Sequence, residues 1–213
     1  MRAVIFNFLL LVFIPKLFTQ TDSINKYICK NNPRSHYLNF TIKYPKNWTS
    51  EDGDIYGIVQ KFISTDGTLF MVDVKKIKFD LNELSNEEQN KIFSEEFVNS
   101  LFKTEEAKSS GATDFKLISF EKTIINAQPA CTFISYNEIS SLQGEYAVLQ
   151  KNYLTYWEDK LITLVGQVMV LKSEKNFNEN LESTFNYYQD YFNLMASSFV
   201  IDSKWEKLHN TTY

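Results

Sequence analysis

Apolar and polar positions alternate along residues 38–44, as in a half-buried β-strand whose side chains point to opposite faces of a sheet. The apolar phase of this segment consists of Leu38, Phe40, Ile42 and Tyr44. Pro45 has no backbone N–H to donate, so the strand is expected to end there. Residues 57–64 and 68–79 predict two further strands, joined by a tight turn.

The hydrophobic period changes after residue 84, where apolar residues recur every three or four positions, as on one face of an α-helix. Ser85 and Glu88 have the spacing of a capping box, which predicts that one helix begins at Ser85 and continues to residue 108. The stripe of this first helix consists of Ile92, Phe93, Phe97, Val98, Leu101 and Phe102. A second helix is predicted from Asn176, a common N-cap residue. Its stripe consists of Leu181, Phe185, Tyr188, Phe192, Met195 and Phe199.

Four strand-like runs lie between the two helices, at residues 115–125, 130–139, 144–157 and 161–170. Only short turns separate them, and short turns join antiparallel neighbours, so the four runs predict a meander. Strands, a helix, more strands and a last helix together predict an α+β fold in which helices flank an antiparallel β-sheet.

The first residues have the layout of a secretory signal peptide, which would direct the protein to export. Arg2 precedes an apolar run, residues 3–14, that is shorter than the roughly 20 residues of a membrane-spanning helix. We expect cleavage after Thr21 or Gln20, no membrane span in the mature protein and a periplasmic or extracellular location; an uncleaved anchor is the alternative. The predicted organisation is a signal peptide at residues 1–21, a polar segment at 22–36, one domain at 37–201 and a polar tail at 202–213.

The composition favours a folded domain and argues against nucleic acid as a binding partner. The formal net charge is −4, and loss of the leader would remove two more positive residues, Arg2 and Lys16. Nucleic-acid-binding proteins usually carry a basic stripe that neutralises phosphates, so no nucleic acid is expected as a partner. Aromatic residues make up 15% of the chain while glycine and proline are few, which favours one folded domain with a sizeable core. We expect a monomer.

The two cysteines leave the redox state open. Outside the cytoplasm a disulfide between Cys29 and Cys131 is chemically permitted, and closing that loop would constrain the unfolded chain by about 4–5 kcal/mol. Cys131, however, is in phase with Phe133 in a predicted strand, where a buried free thiol behaves as a small hydrophobe. The pattern therefore favours two free thiols over the disulfide.

The sequence carries no motif for catalysis, cofactor binding or metal binding. Its two histidines, His36 and His209, lie in polar terminal segments, and the several closely spaced His, Cys or carboxylate ligands that a zinc site usually needs are missing. Glu51, Asp52 and Asp54 are clustered but do not follow the pattern of a calcium loop, so they are expected to be solvated turn residues. We therefore predict no enzyme activity, no cofactor and no metal.

Three aromatic residues outside the helical stripes are candidates for a partner or ligand surface: Trp48, Tyr153 and Trp157. Trp48 follows a strand end and is expected to fold back over the sheet edge, where a large aromatic side chain buries much apolar area. Tyr153 and Trp157 share one face of a strand, and Tyr156 lies on the other. Cross-strand packing is the interpretation we favour, and an exposed aromatic patch is the alternative.

Several short motifs, in order along the chain, resemble those of the Mog1/PsbP-like proteins. They are TIKYPKNW at residues 41–48, INAQPACTFISY at 125–136 and MASSFVI at 195–201. The resemblance covers residues 37–201 and implies a Mog1/PsbP-like α/β/α sandwich. Ala127 departs from it at a turn position where the family commonly has glycine, so a positive φ is not expected there.

The resemblance implies a PsbP-like exported binding or accessory module without catalytic activity. Family members bind the GTPase Ran or photosystem II, but an exported protein does not meet Ran, and no metal-ligand set for the photosystem role is matched here. The alternative is a carrier that holds a small apolar or lipid-like ligand between the sheet and a helix, which requires a cavity of about 300 Å³ or more. An enzyme, such as a hydrolase, is the third hypothesis and the one that the missing motifs disfavour.

Overall fold

The computed structural model describes residues 23–54, 57–101 and 112–205. Within these ranges the strands are β1 (Ile24–Cys29), β2 (Phe40–Pro45), β3 (Thr49–Asp52), β4 (Ile58–Ile63), β5 (Leu69–Lys76), β6 (Ala112–Ile125), β7 (Gln128–Ser141), β8 (Gly144–Trp157), β9 (Lys160–Leu171) and β10 (Val200–Ile201). The helices are α1 (Asn86–Ile92), α2 (Glu95–Leu101) and α3 (Phe177–Ser197), with single 3₁₀ turns at Pro33–Ser35 and Leu81–Glu83. The predicted signal peptide and the end of the tail lie outside the described residues.

Seven of the strands form one antiparallel sheet in the order β3-β4-β5-β9-β8-β7-β6. Strands β6 to β9 follow one another as hairpins, so the predicted meander is confirmed. Strand β5 pairs with β9, which attaches the earlier hairpin of β4 and β5 to the far side of the meander. The protein is thus an α+β structure in which antiparallel sheets carry a long packed helix, as predicted.

The remaining strands form a small antiparallel sheet in the order β1-β2-β10. Strand β2 forms most of the alternating segment that the sequence pattern predicted; Leu38, Phe40 and Ile42 are buried and Tyr44 is half-buried. Strand β1 lies in the segment that was predicted to be polar and was not predicted as a strand. Its residues alternate between exposed and half-buried positions, but polar residues surround the few apolar ones, so the sequence shows no clear alternation. Its last residue, Cys29, is part of the main core, the larger of two clusters of buried apolar residues, which also contains Phe40, Phe70 and Phe192.

Helix α3 packs on β8, β9 and β2 and covers the main core of the protein. All six residues of its predicted stripe are buried. A side chain on Gly166 of β9 would collide with the ring of Phe192, because a Cβ there would lie only 2.3 Å from that ring. Asn176 occupies the N-cap position of α3, as predicted, but its side chain makes no capping hydrogen bond; its backbone has φ 59°, and its carbonyl accepts from the N–H of Asn180.

The opposite face of the large sheet carries a second core cluster under α1 and α2. The capping box of Ser85 and Glu88 is present, as predicted. The prediction of one continuous helix is wrong, because Phe93 leaves the helical conformation with φ −100° and ψ 48° and Ser94 accepts a hydrogen bond from the N–H of Phe97, which starts α2. The break lets Phe93 and Val98 both reach this core. The predicted continuation beyond Leu101 lies outside the described residues.

The turn between β6 and β7 differs from the expectation drawn from Ala127. Both loop residues have positive φ, 50° at Asn126 and 56° at Ala127, which is the backbone of the two-residue hairpin turn that suits twisted strands. Alanine is tolerated there because the hairpin register fixes the loop length at two residues, and Lys204 donates to the Asn126 carbonyl at 3.0 Å. Tertiary contacts therefore override the local preference of alanine.

The acids after Trp48 are exposed, but two of them are not in a turn. Glu51 and Asp52 belong to β3, an edge strand that pairs with β4. Asp54 follows the strand, and Lys61 lies 3.1 Å from its carboxylate and lowers its pKa through a hydrogen bond. Charged edge residues of this kind discourage pairing with another sheet. Within the described ranges, no helix combines the length and the apolar character needed to cross a membrane.

Candidate ligand groove between helix α3 and the meander

A groove of about 530 Å³ runs between α3 and the strands β6, β7 and β8. Helix α3 packs mainly on β8 and β9, and the groove lies where part of the helix-facing side of β6 and β7 is left open beside it. We call it the α3 groove. Its lining residues are Lys116, Ile118, Ile134, Tyr136, Leu149, Asn178, Leu181, Glu182, Phe185, Asn186 and Gln189.

The floor of the α3 groove is apolar and fixed by the main core. Ile134 of β7 and Leu149 of β8 point toward the helix, since alternate residues of a strand share one face of the sheet. Leu181 and Phe185 close the floor from the helix side, and both are buried members of the α3 stripe. The floor is therefore a continuation of the core that remains open to solvent along one side.

The rim of the groove is polar on the helix side and mixed on the strand side. Three amide side chains of α3 line it, and Gln189 donates to Asn186 at 2.9 Å. On β6, Ile118 is 57% exposed, which is unusual for a large apolar residue, and Lys116 lies with its ammonium 5.6 Å from the centre of the Tyr136 ring. An apolar floor with a few polar groups around it is the usual form of a small-molecule site.

Tyr136, which lines the groove, belongs to a chain of polar contacts on the strand side. The hydroxyl of Tyr136 donates to Glu138 at 2.7 Å, and Lys172 donates to the same carboxylate at 2.7 Å. Glu145 lies 3.4 Å from Lys172 as well. Burial raises the pKa of Tyr136 to about 12, while the hydrogen bond from Lys172 lowers the pKa of Glu138. The Tyr136 proton is thus held on its oxygen at neutral pH.

The aromatic residues that the sequence offered as a partner surface lie mostly inside the protein. Trp48 is buried in the main core, where its ring meets Tyr188 edge-on at 5.8 Å, as the packing interpretation predicts. Tyr153 is buried too, and its hydroxyl donates to Asn193 of α3 at 2.7 Å. An exposed aromatic patch at these positions is therefore contradicted by their burial.

Trp157, at the end of β8, is half-buried and packs against the main core. The ammonium of Lys204 lies 5.9 Å from the centre of its ring. On the other face of the same strand, Tyr156 is buried in the second core and stacks on Phe93 at 5.7 Å. Side chains on the two faces of β8 thus pack into two different cores. Neither face forms the exposed aromatic patch that was the alternative interpretation of these residues.

Both cysteines are free and buried. Cys29 belongs to the main core, where its thiol donates weakly to the hydroxyl of Ser35 at 3.7 Å, and Cys131 belongs to the second core on the other face of the large sheet. Burial raises the pKa of the Cys29 thiol, and it raises the pKa of Cys131 to about 12. Unpaired thiols are the alternative that the strand pattern favoured, and their placement in separate cores is what keeps them apart.

The residues of the groove were not predicted as a site. Ile134 and Leu149 carry the same pattern as fully buried strand residues, so nothing in the sequence separates them from core positions. Ile118 does not stand out in the sequence either, because Ile124 on the same strand is also exposed and does not line the groove. Among the described residues, no group of three or more histidine, cysteine, aspartate or glutamate side chains is arranged to hold a metal ion.

Comparison with known proteins gives similarities of fold. No protein-family model matches the chain, and no curated protein matches it. Among solved structures, cyanobacterial PsbP (CyanoP) from Synechocystis sp. shares 16% identity over 86% of this chain and 95% of that chain, with a TM-score of 0.49. LpqN, described as involved in cell envelope biogenesis of Mycobacterium tuberculosis, shares 13% identity over 84% and 91% of the two chains, with a TM-score of 0.45.

A third structure, from Bacteroides thetaiotaomicron, shares 15% identity over 74% of this chain and 46% of that chain, with a TM-score of 0.34. The chain is similar in structure, at low sequence identity, to cyanobacterial PsbP and LpqN. At these identities the similarity concerns the fold alone, and a fold of this kind does not specify a function.

Proposed function

We propose that this protein is an exported, non-catalytic binding module that holds a small apolar or amphiphilic ligand in the α3 groove. The observation that carries the proposal is the groove itself: about 530 Å³ of space with an apolar floor. This exceeds the volume of about 300 Å³ that a carrier requires. Export rests on the leader sequence at residues 1–21, which lies outside the described residues.

The chemistry of the lining favours binding over catalysis. The titratable side chains that line the groove are Lys116, Tyr136 and Glu182. The hydroxyl of Tyr136 is committed to Glu138, and the other two groups lie on opposite walls, on β6 and on α3. A general acid or base acts through a hydrogen bond to the reacting group and is usually oriented by a neighbour. The groove instead offers contact area with a few polar groups at its edge.

The proposal is tested with the neutral fluorescent probe N-phenyl-1-naphthylamine, whose emission rises in apolar surroundings. The mature chain should bind it saturably, with one probe per protein. Replacing the exposed Ile118 by glutamate puts a charge at the groove wall, and we expect it to weaken binding by about tenfold because apolar contact is lost.

Ile124→Glu is the matched control. Ile124 lies on the same strand and is also exposed, at 74%, but it does not line the groove. This variant should bind the probe as the unaltered chain does, with the same far-ultraviolet circular dichroism. An absence of saturable binding, or an equal loss in both variants, would show that the groove is not a ligand site.

A further inference from the structure

Two opposite charges face the α3 groove from its two walls. Lys116 stands on β6 and Glu182 on α3, and both side chains line the groove and are exposed. In residues 23–54, 57–101 and 112–205, neither of them takes part in an ion pair within 4.0 Å. The groove therefore presents a negative group, Glu182, and a positive group, Lys116, whose charge acts together with the hydrogen bond from Lys172 to lower the pKa of Glu138.

The neighbouring charges are arranged differently. Glu138, on the same face of β7 as Tyr136, is neutralised by Lys172, which also approaches Glu145. Lys116 is held near the groove by the ring of Tyr136, which attracts the ammonium without neutralising it. The carboxylate of Glu138 is thus paired with Lys172, whereas Lys116 and Glu182 form no ion pair within 4.0 Å among the described residues and can each contact a ligand.

Resting on the proposed function, we propose that the ligand of the α3 groove is an amphiphile with a zwitterionic head group. Its anionic group, a phosphate or carboxylate, pairs with Lys116, and its cationic group, an ammonium, pairs with Glu182. Its apolar chain lies on the floor formed by Ile134, Leu149 and Phe185.

Head groups of other charge fit this opening less well. A purely anionic head gains the contact with Lys116 but lies near the carboxylate of Glu182. A purely cationic head gains the contact with Glu182 but lies near the ammonium of Lys116. A neutral head gains neither charge contact. Because both side chains are exposed, each pairing contributes modestly and is screened by salt, so the preference is one of selectivity between amphiphiles of equal chain length.

The test compares four amphiphiles with the same twelve-carbon chain, each below its micelle-forming concentration. They are dodecylphosphocholine, dodecanoate, dodecyltrimethylammonium and dodecyl maltoside. By isothermal titration calorimetry at low salt, dodecylphosphocholine should bind about threefold to fivefold more tightly than each of the others. This advantage should shrink in 0.5 M sodium chloride, because the Debye length then falls well below 10 Å.

Two single variants separate the contribution of Lys116 to head-group selectivity from that of Glu182. Lys116→Gln should shift the order toward dodecyltrimethylammonium, and Glu182→Gln should shift it toward dodecanoate. Lys122→Gln and Glu179→Gln are the matched controls, since Lys122 lies on β6 opposite Cys131 of the second core and Glu179 lies on α3 outside the groove. Both controls should keep the order of the unaltered chain.

The outcomes separate the two proposals. If none of the four amphiphiles binds, the ligand groove itself is refuted. If all four bind with equal affinity, or if dodecanoate or dodecyltrimethylammonium binds best to the unaltered chain, the zwitterionic head group is refuted while the groove remains. Equal effects of the groove variants and their controls would likewise overturn the assignment to Lys116 and Glu182.

Discussion

The two faces of the seven-stranded sheet are covered in different ways. One face carries α3, a single helix of 21 residues, and the other carries α1 and α2, each of seven residues, with a 3₁₀ turn beside them. The stripe of α3 continues without interruption, whereas the earlier stripe is broken between Phe93 and Ser94. The same kind of sequence pattern therefore gave a continuous helix on one face and two short helices on the other.

The difference explains why the candidate site lies on the side of α3. A helix is about 10 Å wide and neighbouring strands are about 4.8 Å apart, so one straight helix covers about two strands. Helix α3 lies over β8 and β9, and β6 and β7 extend beyond it. The uncovered apolar strip beside a straight helix becomes the α3 groove. On the other face, Phe93 at the end of α1 and Val98 of α2 join Cys131, Phe133, Leu154 and Tyr156 of the sheet in the second core.

The largest expected effect comes from removing one phenylalanine from each cover. Phe192→Ala should lower the free energy of unfolding by about 3–5 kcal/mol, because Phe192 is fully buried against Phe70, Tyr188 and Gly166 in the main core. Phe93→Ala should cost about 1–2 kcal/mol less, since the chain is already non-helical at Phe93 and can relax around the cavity. Urea unfolding of both variants measures the difference. An equal or larger loss from Phe93→Ala would mean that the chain around Phe93 relaxes no more than α3 does.

A smaller effect distinguishes how the two covers begin. Ser85→Ala removes the capping box of α1 and should lower stability by about 1 kcal/mol. Asn176→Gly should be neutral or slightly stabilising, because Asn176 makes no side-chain cap and its left-handed backbone suits glycine. The free energy of unfolding from urea titration checks both. A clear loss from Asn176→Gly would show that its side chain supports α3 after all.

The smallest effect concerns acid pH and the contact between Glu138 and Lys172. The hydrogen bond from Lys172 lowers the pKa of Glu138, so ionised Glu138 favours the folded state. This stabilisation is present above the unfolded-state pKa of about 4.3 and is lost as the pH falls through the lower folded-state pKa. Glu138→Gln should therefore lower stability slightly at pH 7, by less than Ser85→Ala does, and should lose less stability than the unaltered chain on acidification.

Urea unfolding at pH 7 and at pH 3 measures this dependence. Glu145→Gln is the comparison variant, because Glu145 approaches the same ammonium but is 66% exposed on its side chain and lies farther from it. It should change the acid dependence less than Glu138→Gln. A larger change from Glu145→Gln would mean that Glu145, rather than Glu138, is the main partner of Lys172.

Local sequence patterns predicted those strands and helices that need only an apolar surface to pack against, whichever residues form it. Strand β2, the meander and the stripe of α3 depend on alternation or helical spacing, and any apolar surface of suitable shape satisfies them. Strands β1 and β3 were not predicted, because each is mainly exposed and gains its conformation from pairing with β2 or β4. The positive φ of Ala127 was missed for a similar reason, since the register of β6 and β7 decides that turn.

The amino-acid sequence by itself determined that this chain forms an antiparallel sheet with an apolar helix against it, because these periods follow from the geometry of strands and helices. Only the tertiary structure decided where α3 lies across the sheet, and therefore that Ile134 and Leu149 line a groove while similar residues such as Leu164 are enclosed. It also placed Lys116 and Glu182 on facing walls, although 66 positions separate them in the chain. Burial depends on what covers a residue, and the cover comes from distant parts of the chain.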